Sequence, residues 1–146
     1  MKVVVSGCLL GYNCKYNGLN NYADELCNFL DKNNFEVFPI CPEVMGGLPT
    51  PRIPSEIIDG KVFMENGKDV TNNYIKGANE ALEIALVNGC NVAILKSKSP
   101  SCGYGEIYDG SFSHKLKKGN GIACQLFLEN NIRVYTEKDF KNLKDN

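Results

Sequence analysis

Four short apolar runs separated by helical patterns constrain this chain's fold more than any other feature. They are KVVVS (2–6), FEVFPI (35–40), NVAILK (91–96) and IRVYT (132–136). Runs of this length, rich in β-branched residues and bounded by glycine or polar clusters, read as buried strands. Residues 20–32 place Ala23, Leu26, Cys27 and Leu30 on one helical face. Residues 71–89 open on Thr71, a good N-cap, and space Ile75, Ala78, Leu82, Ala85 and Leu86 along another. A third helix is expected over about 121–130, and a short polar helix at the C-terminus. Strands alternating with helices predict an α/β fold: one open, mostly parallel sheet with helices on both faces. IIDGKVFMENGKDV, with Asp59-Gly60 and Asn66-Gly67 as turns, adds a small hairpin-like β excursion. CPEVMGGLPTPRIPSE reads as a long loop, and GEIYDGSFSHKLKKGNG as irregular or weakly β.

The chain has 146 residues and no internal repeat or linker, so a single domain over 1–146 is expected. Its net charge of −1, with both signs interspersed, argues against a broad nucleic-acid footprint. The apolar runs are too short to span a bilayer, and MKVVVSG lacks the features of a signal peptide, so a cytoplasmic location is expected. Nothing in the pattern sets an oligomeric state.

Seven cysteines in such a chain need an explanation. An odd count without signs of secretion argues against a disulfide framework and towards metal binding or catalysis. Their placement relative to the strands is informative. Cys8 lies just past the first strand, Cys41 directly after the second, and Cys102 a few residues past the third, in KSKSPSCGYG. The carboxyl ends of parallel strands share one edge, where ligands bind, so these three thiols should converge there. Cys27, Cys90 and Cys124 sit in or beside helices and read as small buried hydrophobes. Cys14 shares a loop with Cys8 and is open to several roles: fourth ligand, redox partner or bystander.

Converging thiols have several uses. Three singly buried, inert cysteines are one, although loops flanked by glycine and proline are poor core. A zinc-thiolate site is another, but no C-x-x-C knuckle is present; the same absence weighs against a thiol redox enzyme. An iron–sulfur cluster held by dispersed cysteines remains, and three thiolates on a four-iron cubane leave one iron as a Lewis acid. Glu43, two residues past Cys41, is a candidate general base or a local cap. Ser99 and Ser101 beside Cys102 could bond a substrate, cluster sulfurs or loop backbone. Gly46 and Gly47 suggest a close backbone approach. Arg52 could pair with an anion or a carbonyl, although a surface ion pair is the simpler reading, and His114, the only histidine, reads as a surface residue.

Taken together, SGCLLGYNCKYNG, FPICPEVMGGLPTPR and AILKSKSPSCGYGEIYDGSFS resemble the signature blocks of the thiouracil desulfurases, a small prokaryotic family. The resemblance runs in order from Val3 to about Tyr135. It implies a [4Fe–4S] cluster bound by Cys8, Cys41 and Cys102, with Cys14 the weakest match. It implies a catalytic role for Glu43 and a substrate-facing serine, Ser99 or Ser101. The implied substrate is a small thiolated heterocycle such as 2-thiouracil, giving uracil and hydrosulfide without net electron transfer. The alternative is a non-catalytic iron–sulfur or sulfur-carrier module, or a zinc-thiolate binding module.

Overall fold

A computed structural model describes residues 1–143. Four strands form one sheet: β1 (Lys2–Ser6), β2 (Glu36–Ile40), β5 (Val92–Leu95) and β8 (Arg133–Thr136). Their order is β2-β1-β5-β8, and all three pairings are parallel. The chain moves outward from β1 to β2, then crosses back to β5 and β8 on the other side. The β1/β5 junction is therefore the point where strand order reverses, the place where open α/β sheets bind ligands.

Alternation along each strand sends side chains to both faces. Val3, Val5, Val92 and Ile94 meet Leu26 and Leu30 of α1 (Asp24–Lys32), with Phe140 and Leu143 closing that layer. Val4, Ile40, Ala93 and Leu95 face Ala81, Leu82 and Ala85 of α3 (Thr71–Val87) and Cys124 and Phe127 of α4 (Ile122–Glu129). Helices cover both faces, as the alternation predicts. β3 (Ser55–Ile58) and β4 (Lys61–Met64) form the expected antiparallel hairpin, with Asp59 and Gly60 both at positive φ in its turn. The region expected to be irregular or weakly β holds a short ribbon of β6 (Glu106–Tyr108) and β7 (Leu116–Lys118).

Several expectations shift in detail. Helix α1 begins at Asp24 rather than residue 20, because Asn21 and Ala23 donate their backbone N–H groups to the Cys8 and Leu9 carbonyls, which holds this stretch extended. The buried face of α3 is Tyr74, Gly77, Ala78, Ala81, Leu82 and Ala85, while Ile75 and Leu86 are exposed. The CPEVM stretch is not loop throughout. Pro42–Met45 forms a one-turn helix, α2, with proline at its first turn, where a missing N–H costs nothing. The expected C-terminal helix is a 3-10 turn over Phe140–Asn142, and its last three residues, 144–146, lie outside the described residues.

The rotation of α3 follows from its contact with α2. A Cβ on Gly77 would come within 1.7 Å of the Pro42 carbonyl oxygen, and one on Gly46 within 2.0 Å of the Asn73 carbonyl oxygen. The two backbones touch with no side chain between them, so only glycine fits at either position. The Asn73 amide also donates to the Gly46 carbonyl at 2.9 Å. Gly77→Ala is expected to destabilise the fold by about 2–3 kcal/mol, since backbone, not a side-chain tip, must move. Urea unfolding should show an unchanged m-value and a lowered midpoint; a midpoint equal to the parent's would contradict this contact.

Candidate functional site

Short loops leave the carboxyl ends of β1, β2 and β5 and enclose a cavity of about 350 Å³. Its lining includes Cys8, Cys14, Cys41 and Cys102, with Glu43, Arg52, Ser99 and Ser101. The three thiols placed at the sheet edge by topology thus share one cavity, and Cys14 joins them. The other cysteines do not. Cys90 and Cys124 are buried in the core, and burial pushes the Cys124 thiol up to about 12. Cys27 is only part-buried, not the fully buried core residue expected, and its thiol leans on the Leu9 carbonyl at 3.7 Å.

Each cavity thiol has its own surroundings. Cys102 is buried, and burial pushes its thiol well up. Two hydroxyls oppose that by pointing at sulfur: Ser6 at 3.3 Å and Ser101 at 3.7 Å. Ser6 in turn accepts the Lys96 backbone N–H at 3.0 Å, which ties β1 to the end of β5. The Cys8 thiol is raised by burial, with Asn21 and the Lys96 charge working the other way. Cys41 stands at the N-cap of the short helix α2 and its thiol donates to the Cys14 carbonyl at 3.8 Å. The neighbouring Cys14 and Cys41 thiols shift one another, Cys41 down and Cys14 up. Among the described residues no three His, Cys, Asp or Glu side chains gather around a point that would hold one metal ion.

Glu43 is the polar centre. Its Oε1 accepts from Arg52 Nε at 3.0 Å, and its Oε2 accepts from the Ser101 hydroxyl at 2.9 Å. Ser101 lies 2.9 Å from the Ser99 hydroxyl, so protons can be shared along a short Ser99–Ser101–Glu43 line. The two serines divide the work. Ser99 Oγ accepts the backbone N–H groups of Ser101 and Cys102 at 3.1 Å each, so it shapes the loop. Ser101 is buried and makes the side-chain contact with Glu43. Its carbonyl also accepts the N–H groups of Ala123 and Cys124 at the start of α4, at 2.9 and 3.1 Å. A helix N-terminus left with free donors is thereby satisfied by the loop that carries Cys102.

Arg52 overturns one sequence expectation. Its side chain is 4% exposed rather than on the surface. Besides Glu43, the guanidinium donates to the Cys14 carbonyl at 2.8 Å, the Pro49 carbonyl at 3.2 Å and Thr50 Oγ1 at 3.0 Å. A planar fork with five donors can join three loops in this way; an ammonium cannot. His114 is exposed as expected, yet it lines the cavity mouth beside Tyr108 and Phe112. Tyr74, an α3 residue with no distinguishing context in sequence, is buried with its hydroxyl against Ser55 and Glu43.

The family described as 2-thiouracil desulfurase matches residues 3–139. The chain belongs to that family. A solved structure named as the [4Fe-4S]-dependent thiouracil desulfidase TudS superposes with a TM-score of 0.91 at 38% identity, covering 97% of this chain and 94% of its own. A Bacillus subtilis (strain 168) protein carrying the name Uncharacterized protein YbbK is 36% identical over 151 aligned positions, covering 97% of this chain and 99% of its own. The desulfurase family match, over residues 3–139, spans all three cysteine loops.

Removing the Arg52 fork should leave Glu43 as a nearly buried, unpaired carboxylate. Arg52→Ala is expected to cost about 3 kcal/mol of stability. Arg52→Lys should cost less, because the charge stays while the fork is lost. Denaturant midpoints for the pair check this; equal midpoints for Arg52→Ala and the parent would mean that the ion pair is not structural.

Proposed function

We propose that this protein is an iron–sulfur-dependent desulfurase that takes a small thiolated pyrimidine such as 2-thiouracil to uracil and hydrosulfide. The observation that carries the reading is the convergence of Cys8, Cys41 and Cys102, from three strand ends, on a cavity that also holds Glu43 and Ser101. Family membership and the likeness to the [4Fe-4S]-dependent thiouracil desulfidase support it.

The residues suit a [4Fe–4S] cluster held by Cys8, Cys41 and Cys102. The donor set is three soft thiols carried by three separate loops to one cavity, the ligand type that iron–sulfur clusters take. Burial raises the Cys8 and Cys102 thiols, and the Ser6 hydroxyl on Cys102 and the Lys96 charge near Cys8 partly offset it. When bound, the cluster supplies an iron without a protein ligand, a Lewis acid that polarises the carbon–sulfur bond of a thiocarbonyl. Cys14 is not needed as a ligand in this reading; its thiol supports Cys41.

Glu43 acts as the general base. Arg52 fixes Oε1, so Oε2, shared with Ser101, is the oxygen placed to take a proton from water. Water oxygen adds to the thiocarbonyl carbon and the carbon–sulfur bond breaks with its electron pair on sulfur; of the two water protons, one passes by way of Glu43 to the departing sulfur and the other goes to solvent. Sulfur departs as hydrosulfide and uracil keeps the water oxygen, so no electrons are gained or lost. Ser101 keeps the carboxylate aimed, and Ser99 backs Ser101 through their 2.9 Å contact. The protein works as one domain over 1–146 on a small-molecule substrate in the cytoplasm. Among the described residues no helix is long and apolar enough to cross a membrane.

Anaerobic reconstitution tests the reading. Cys8→Ser, Cys41→Ser and Cys102→Ser are each expected to lose most bound iron and all turnover of 2-thiouracil, while Cys14→Ser keeps its iron. Glu43→Gln should keep iron and acid-labile sulfide but lower kcat by about 10²-fold or more. A Cys41→Ser protein with full iron and activity would overturn the ligand assignment. A Glu43→Gln protein with parental turnover would overturn Glu43 as the general base, and a parent that holds its cluster without turnover would point instead to a sulfur carrier.

A further inference from the structure

One segment of the cavity wall does nothing for the thiols or for Glu43. The loop over residues 108–114, YDGSFSH, joins β6 to β7 and contributes Tyr108, Phe112 and His114 to the lining. Only one other aromatic side chain, Tyr16, lines the cavity, so three of its four aromatic rings come from this loop. The His114 ring stands edge-on to Tyr108, with centroids 6.4 Å apart.

The loop is held in an unusual shape. Gly110 has φ +94°, Phe112 +56° and His114 +62°. The last two carry side chains in a region such residues rarely occupy, which costs free energy unless the surroundings impose it. Glu56 imposes it. This β3 carboxylate is only 8% exposed, and its Oε1 accepts the backbone N–H groups of both Gly110, at 2.9 Å, and Phe112, at 3.1 Å. Gly110 itself sits too close for a side chain, as a Cβ there would come within 2.8 Å of Ile58 and 2.9 Å of the Ile57 carbonyl oxygen. The Asp109 N–H donates to the Lys115 carbonyl at 2.9 Å and closes the base of the loop. A nearly buried carboxylate is expensive unless strongly bonded. Here no side-chain cation pairs with it among the described residues, and charge-assisted bonds to two backbone N–H groups take that place.

We propose that Glu56 is a positioning residue that holds the 108–114 loop so that Phe112 and His114 form the stacking wall for the planar heterocycle. This rests on the desulfurase reading and deepens it. The thiol loops and Glu43 address the sulfur and the carbon that bears it, and they bring one ring, Tyr16, to the cavity against three from the 108–114 loop. Stacking on an aromatic side chain grips any planar base by its π-face and tolerates changes at the ring edge. The wall thus sets affinity for the ring, while Glu43 and the thiols set the chemistry.

The test uses reconstituted holoprotein and two readouts: calorimetric binding of uracil and of 2-thiouracil, and steady-state turnover of 2-thiouracil. Phe112→Ala and Glu56→Ala are each expected to weaken uracil binding and raise KM by about tenfold, with kcat and iron content near parental values. Glu56→Gln should bind within about twofold of the parent, because its amide oxygen can accept the same two N–H groups. Phe112→Ala removes the wall without touching Glu56, so it decides the matter even if Glu56→Ala fails to fold. Parental binding by Phe112→Ala, or a Glu56→Gln protein as weak as Glu56→Ala, would overturn the proposal, as would a parent that binds neither ligand. A parent that binds uracil but never releases sulfide would overturn the desulfurase reading instead, and the binding ratios among variants would still judge the wall.

Discussion

The Glu43 carboxylate is the joint on which the rest of the site depends. Its backbone belongs to α2, which touches α3 through Gly46 and Gly77 with no side chain between. One oxygen is held by Arg52, which also grips the carbonyls of Cys14 and Pro49. The other is held by Ser101, whose own carbonyl caps α4. Loops that start from β1, β2 and β5 therefore meet at a single carboxylate. Among the described residues every buried side-chain nitrogen and oxygen finds a partner. In a setting of low dielectric, a network satisfied in this way is rigid, whereas one missing member is costly.

The position of that joint follows from strand order. β1 and β5 lie side by side but lead to opposite halves of the sheet, so the loops leaving them diverge and open a crevice. Cys8 and Cys102 stand on the two sides of that crevice, and Ser6 bridges it by accepting from the Lys96 backbone while donating to Cys102. The sheet supplies stiffness below: Val3, Val4, Val5, Val92, Ala93, Ile94 and Leu95 are fully buried between two helix layers. Cys8, Cys41 and Cys102 thus stand on loops that leave the ends of this buried sheet.

Much of this was legible because periodicity and topology are local signals. Strand–helix alternation is enough to predict a parallel sheet, and a parallel sheet is enough to place Cys8, Cys41 and Cys102 on one edge. What was not legible depends on side chains that meet across long stretches of chain. Arg52 reads as a surface cation because its sequence neighbours are prolines and polar residues; its burial is created by Glu43 and the Cys14 loop, which only the folded path brings together. Tyr74 looks like one more apolar residue on α3, and its contact with Glu43 requires knowing where α2 docks. The face of α3 was misjudged for the same reason. Ile75 and Leu86 fit a helical stripe, but the α2 contact selects the side bearing Gly77, Ala78 and Ala81, because only small residues allow so close an approach.

The three parts of the cavity are built on supports of different stiffness. The thiols rise from the ends of the parallel sheet, and Glu43 from a helix clamped backbone to backbone. The aromatic side chains rise mainly from a two-stranded ribbon that joins the rest through buried Ile107, the bonds from Glu56 and an isolated bridge between Lys98 and Ile107. A two-stranded ribbon has little stability of its own, so its loop takes its shape from what it is pinned to. Changes in the 108–114 segment can therefore alter the ring-facing surface while the thiol separations and the Glu43–Arg52 geometry stay as they are. Substrate range and chemistry are then separable in this fold, because the bonds that fix one are not the bonds that fix the other.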